Sequence, residues 1–253
     1  MNSVSNDPKP TLRWLVKRAL HTLAADCMIL FNLILLAIGM VAVTVIAIPM
    51  IGMRAASSLI FSPVAVISFE TLSICALVYL AASWFTASWA RRRMGLGGVA
   101  SFTRALRCWP SCLVLFGLPL IGVITGSLLG LPAIAAVVIA LAILAYGIIR
   151  GPVIYAQAIL GAIGQPCNSN LARSQIPSWL YAKIAGGVAF VLFAFILVSI
   201  AWHALMTAIG SSLPSECTAV LGPIGALIIA LIAQATSVSL VGAAMSSKTS
   251  NFS

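Results

Sequence analysis

Six stretches of about twenty mostly apolar residues dominate the chain and constrain its fold more than any motif. A helix needs about 20 such residues to cross the ~30 Å hydrocarbon core of a bilayer. The runs Met28–Ile51, Pro63–Trp84, Cys112–Gly130, Pro132–Ile149, Leu180–Leu205 and Leu221–Ala244 fit that length. Lipid offers no partner for backbone N–H and C=O groups, so runs of this kind fold as helices. Of the 253 residues, 62% are hydrophobic and 7% charged. Soluble domains carry about 25% charge, so the outer surface of this chain is made for lipid. The expected fold is all-α: a polytopic membrane domain over residues 11–245. Residues 1–10 form a disordered tail, and 246–253 a short cytoplasmic one. The fourth run can continue as helix past Arg150 into Pro152–Ile163, because neighbouring helices re-satisfy the carbonyl that a proline frees. A removable signal peptide is not expected, since the first apolar run is long enough to span.

The basic residues set the orientation. With the N-terminus inside, the inner segments hold Lys9, Arg13, Lys17, Arg18, Arg91, Arg92, Arg93, Arg104, Arg107, Arg150, Arg173, Lys183 and Lys248, and the outer ones Arg54 alone. Shifting the count by one span breaks this partition, so it supports an even number of spans with both termini cytoplasmic. The expected location is the cytoplasmic (inner) membrane. Trp14, Trp84, Trp89, Trp109 and Trp179 are expected near the inner interface and Trp202 near the outer one, where an indole ring is apolar and its N–H finds a partner. The formal net charge of +10 would suggest nucleic acid in a soluble protein. Here it clusters beside apolar runs, where topology and lipid headgroups account for it, and no nucleic-acid partner is expected.

Three segments ahead of the odd-numbered spans look alike. Arg18-Ala19-Leu20 matches Arg104-Ala105-Leu106, and after a one-residue gap Cys27 with Leu30-Phe31 matches Cys112 with Leu115-Phe116. The third copy keeps Arg173 and, at a similar distance, Trp179. In helical projection Leu12, Leu15, Val16, Ala19, Leu20 and Leu23 share one side of the first segment, with Arg13, Lys17 and His21 on another. That pattern predicts a helix lying in the headgroup plane with its apolar stripe toward the acyl chains. Each repeat then reads as an interfacial basic helix followed by a transmembrane hairpin, and three repeats make six spans.

Phe102–Trp109 ahead of the third span, and the run from Pro152 through Arg173-Ser174 to Trp179 ahead of the fifth, carry a wider likeness. In layout the chain resembles bacterial six-span families of unknown function, grouped with Yip-like proteins and with the membrane domain attached to some glycerophosphodiester phosphodiesterases. An "Ala-Leu, then Arg-Ser, then Trp" run recurs in them. In this chain Gln175-Ile176-Pro177 interrupts it. The resemblance implies a six-helix membrane fold and no assigned activity.

Few residues carry chemistry. Glu70 is the only acid inside a span, and an intramembrane carboxylate marks a proton relay or cation site by default. The plain alternatives are a carboxyl kept protonated by burial, or a structural bond to Asn32, Tyr79 or Gln234. Asn32 and Gln234 are the other strong polar groups well inside spans, expected to bond between helices. Gly122, Gly126 and Gly130 share one helix face and permit close backbone approach. Arg91, Arg92 and Arg93, with Arg13 and Lys17, are topology determinants that are also suited to anionic phospholipid or an acidic partner. The cysteines at 27, 75, 108, 112, 167 and 217 show no disulfide or zinc pattern. No metal and no cofactor is expected. His21 and His203 fall on opposite sides of the membrane in this topology.

No nucleophile–base set, acid pair or phosphate loop is present, so an enzyme is not expected. The expected function is a non-catalytic scaffold or accessory subunit, partnered by the lipid bilayer and by other membrane subunits or further copies of itself. The alternative is a transporter or channel subunit for an apolar or amphipathic solute, with Glu70 as the coupling group.

Overall fold

The computed structural model describes residues 11–56, 63–112, 133–210 and 215–249. Eight α-helices account for nearly all of them, with no strand among the described residues. In chain order they are α1 Leu12–Ala25, α2 Cys27–Ala56, α3 Pro63–Arg93, α4 Phe102–Arg107, α5 Ala133–Ile163, α6 Ser169–Ser174, α7 Ser178–Ile209 and α8 Ser215–Thr249. After Cys108 the chain turns into helix again at 109–112, where the description stops. Three stretches are long and apolar enough to cross a membrane: Ala145–Ile163, Ser178–Ile209 and Leu221–Ser246. α1 and α2 meet at a 74° bend around Asp26.

The long helices overrun the expected spans at one or both ends, because nothing obliges a helix to stop at a membrane surface. α2 runs to Ala56 and α3 to Arg93, while α5 continues without a break through Pro152 to Ile163. The expected outer connection at 52–62 is therefore shorter, its first residues being helical. The tight turn expected at Gly130-Leu131-Pro132, and the face holding Gly122, Gly126 and Gly130, lie outside the described residues.

α3 and α5 end in the same way. Gly95 and Gly164 take the left-handed conformation, at φ 74° and 90°. Leu96 N–H then reaches back to the Arg91 carbonyl, and Gln165 N–H to that of Leu160. This is the six-to-one closure of a glycine-capped helix, which satisfies carbonyls left over at the last turn.

The core sits where α3, α5 and α8 pack against one another. Phe85 and Trp89 of α3, Tyr155 and Ile159 of α5, and Leu231 and Leu240 of α8 are all closed off from the surface. The faces of α2 and α7 are apolar and open instead, with Met28, Phe31 and Val43 on one and Phe190, Phe193 and Ile200 on the other. Lipid-facing surface has this character, because no hydrophobic penalty attaches to exposure there.

The short helices close the arrangement into a ring. α4 packs on α3, α6 on α5, and α1 on α8. Each short helix thus rests on the long helix that precedes it, and the first returns to the last. Each also buries one alanine at its crossing: Ala19, Ala105 and Ala172. A methyl group lets the helices approach where a longer side chain would hold them apart. The match corrects the register of the third copy. Ser101 and Asn168 cap α4 and α6, and the buried alanine is the fourth helical residue of each. In this register Ala172 answers Ala105, Pro177 answers Pro110 and Ser178 answers Ser111. Pro177 is then part of the repeat rather than an interruption, and Arg173 does not answer Arg104.

The apolar stripe expected on α1 is only partly directed to lipid. Leu15 and Ala19 are buried against protein, Val16 and Leu23 are half-buried, and Leu12 and Leu20 remain exposed. A methyl group placed on Gly187 of α7 would come within 2.8 Å of Leu240 Cδ1 and 3.4 Å of Leu12 Cδ1, so α1, α7 and α8 meet without spare room.

Ring closure predicts that the chain tolerates permutation. Leu12 lies beside Leu240, and nine further helical residues to Thr249 advance only ~14 Å. The fourteen residues 250–253 and 1–10 reach up to ~46 Å. A chain of these 253 residues opened between Gly98 and Val99, with residue 253 joined to residue 1, is expected to unfold in detergent within a few degrees of the original. Failure to fold would contradict closure through α1 and α8.

Candidate functional site

One polar side chain from each of the three central helices reaches the same point: Thr86 of α3, Tyr155 of α5 and Gln234 of α8. Thr86 stands nine residues before Gly95, and Tyr155 nine before Gly164 (95 − 86 = 164 − 155), so these two are equivalent in the repeat. Gln234 and Thr86 are fully buried, as is Tyr155. The Tyr155 hydroxyl donates to Gln234 Oε1 at 3.1 Å. Gln234 Nε2 donates to Thr86 Oγ1 and to Ser111 Oγ, each at 3.2 Å, with Cys112 Sγ at 3.7 Å.

The direction of each bond follows from what the hydroxyls have already spent. Thr86 donates its hydrogen to the Ala82 carbonyl at 2.7 Å, and Ser111 to that of Cys108 at 2.7 Å. Both oxygens are left as acceptors, so the amide nitrogen must face them and the amide oxygen must face Tyr155. Ser83 donates to the Tyr79 carbonyl at 2.9 Å and approaches Cys112 Sγ at 3.5 Å. Trp89 Nε1 lies 3.1 Å from the Ala235 carbonyl and 3.0 Å from Ser239 Oγ, and this contact fastens α3 to α8 a second time. Trp89 is therefore a core residue of the seam between α3 and α8. Trp14, Trp109 and Trp179 are exposed, Trp84 donates to the Ala100 carbonyl at 3.1 Å, and Trp202 to that of Gly222 at 3.0 Å.

Gln234 is thus placed where a polar span residue was expected, yet none of its partners was among those expected for it. Asn32 is exposed on α2, away from this cluster. Tyr79 donates to the Trp109 carbonyl. Glu70 belongs to α3, with its side chain outside the described set.

The arginine triplet ends α3 at the elbow between α1 and α2. Arg91 reaches the Ala162 carbonyl at 3.5 Å and the Gly97 carbonyl at 3.2 Å. The first contact caps the end of α5, where unpaired carbonyls favour a cation. Arg92 pairs with Asp26 at 3.1 Å. Arg93 is half-buried, and burial pulls its guanidinium below the ordinary range, with Asp26 opposing that shift and Arg18 adding to it. Arg13 and Lys17 are exposed on α1. Cations lie over aromatic rings along the same rim: Arg18 over Trp14 at 4.9 Å, Arg173 over Tyr181 at 4.5 Å and Lys183 over Trp179 at 5.4 Å.

Cys108 is buried and its thiol is pushed up by that burial, with Cys112 and Cys167 adding to it. It donates to the Ala158 carbonyl at 3.2 Å, a packing role. Cys167 is exposed, with burial of its thiol raising it and Arg107 opposing. Among the described residues no three His, Cys, Asp or Glu side chains gather. No family model, no curated protein and no solved structure matches the chain.

Loss of the amide tests this cluster. Gln234→Leu leaves the Tyr155 hydroxyl without its acceptor and is expected to destabilise by about 1–3 kcal/mol. Gln234→Glu removes both amide donors and is expected to cost at least as much. Thermal unfolding in detergent reads both, and unchanged melting in either variant would contradict the geometry.

Proposed function

We propose that the chain is a non-catalytic multi-pass protein of the inner membrane, serving as a scaffold or accessory subunit of a membrane complex. In this reading six spans are arranged as three hairpins, each led by a short helix at the inner interface, and both termini are cytoplasmic. The observation that carries it is the full commitment of the central amide to fixed partners. Tyr155, Thr86, Ser111 and Gln234 spend their hydrogens on one another and on helix carbonyls. A translocation path needs polar groups left free to exchange partners with a solute, and this cluster leaves its amide committed. The open apolar faces of α2 and α7 suit lipid or the helices of another subunit.

Three measurements test the reading. Gentle purification of the native complex is expected to retain a second membrane protein in fixed ratio, and Glu70→Gln to leave that complex intact. Solute flux in proteoliposomes of the chain alone, abolished by Glu70→Gln, would establish the transporter instead. Orientation is read by a membrane-impermeant maleimide on single-cysteine variants. Cys167 is expected to label only from the inner side and Cys217 only from the outer, and labelling of both from one side would contradict a membrane crossing by α7 between them.

A further inference from the structure

Three guanidiniums, those of Arg18, Arg92 and Arg93, meet at the α1–α2 elbow with one carboxylate. That carboxylate, Asp26, is the only acid between residues 8 and 69. Arg91 is engaged by the carbonyls of Ala162 and Gly97, and Arg92 takes Asp26. Arg93 is left with Asp26 and Arg18 as its charged neighbours. Its Nε is shut off from the surface without a hydrogen-bond partner among the described residues. A half-buried cation facing another cation is under-neutralised, and an anion at its terminal nitrogens would offset the cost.

The surroundings say which anion. The first turns of α2, which begins directly after Asp26, present Met28, 70% exposed, and Phe31, 55% exposed, while α1 presents Leu20 and Trp14, over whose ring Arg18 lies. A free phosphate has no use for apolar surface adjoining its charge. A phospholipid joins a phosphate to acyl chains in one molecule and can use both kinds of surface. The 74° bend gives one arm for the surface and one for the interior of a bilayer.

We propose that the elbow formed by Arg18, Arg92, Arg93 and Asp26 binds the phosphate of an anionic phospholipid, with its acyl chains along the exposed start of α2. The site rests on α1 lying at headgroup level. It does not depend on whether the protein is a scaffold or a transporter.

The test uses the full chain purified in a neutral maltoside detergent, with the melting temperature followed as dioleoyl phosphatidylglycerol is added. Phosphatidylglycerol is expected to raise it, whereas dioleoyl phosphatidylcholine and inorganic phosphate at equal concentration do not. Arg93→Gln and Arg18→Gln are each expected to weaken the apparent affinity about fivefold. Arg150→Gln, an exposed basic position on α5, is expected to leave it unchanged. Asp26→Asn removes the carboxylate that competes for Arg92, so the apparent affinity is expected to rise. Should Arg93→Gln fail to fold, Arg18→Gln on the exposed face of α1 carries the same comparison. Equal stabilisation by phosphatidylcholine would overturn the proposal, as would wild-type affinity in Arg18→Gln or an Arg150→Gln loss of the same size. Equal stabilisation by inorganic phosphate would replace the lipid with a soluble anion.

Discussion

A primary amide sealed among apolar helices has to place two hydrogens and one oxygen without water. Gln234 does so by drawing on both other central helices. Its oxygen takes the Tyr155 hydroxyl of α5, and its nitrogen gives to Thr86 of α3 and to Ser111. The geometry has one solution, because the hydroxyls of Thr86 and Ser111 are already committed to carbonyls of their own helical turns. Rotating α8 by one residue would strand the amide and the Tyr155 hydroxyl in an apolar layer, and an unmade bond there costs more than a made one contributes. Hydrophobic packing alone does not distinguish one rotation from another so sharply. The cluster sets register, and the surrounding Phe85, Trp89, Ile159, Leu231 and Leu240 supply the bulk of the packing.

From that point outward the chain is organised by threes. Each central helix is crossed by the short helix that follows it in the ring, and each crossing is made possible by an alanine. The matching glycine caps of α3 and α5 deliver the chain to α4 and α6 from equivalent positions. Arg91, from one such cap, then binds the end of the next central helix. Seams and centre therefore reinforce one another, whereas the open faces of α2 and α7 belong to the surroundings.

How much of this could be read from residues alone depends on the kind of signal. Apolar runs report helices directly, and α2, α3, α5, α7 and α8 cover the runs identified for them, although hydropathy marks where lipid ends and not where helix ends. Hence α3 runs nine residues past Trp84. The repeat was legible through Arg18-Ala19-Leu20 and Arg104-Ala105-Leu106, but the charged residue drew the third copy out of register. The buried alanine is what the geometry requires, and a lone alanine in an apolar chain carries no visible signal. Gln234 was legible because a strong polar group in a span is rare. Thr86, Tyr155 and Ser111 were not, since hydroxyls that bond their own helix are ordinary in such segments. The bonds of Trp89 were not legible either, because an indole near a span end gives no sign of its acceptor, here the Ala235 carbonyl.

The claim that everything else leans on is the joining of three central helices through one amide. A double-mutant cycle of Tyr155→Phe and Gln234→Leu, read by unfolding in detergent, tests it most directly. The two losses are expected to overlap, with a coupling of about 0.6 kcal/mol, the average for hydrogen bonds between membrane helices, and at most about 1.7 kcal/mol. Strictly additive losses would contradict the account, for they would mean that α5 and α8 do not meet through this pair.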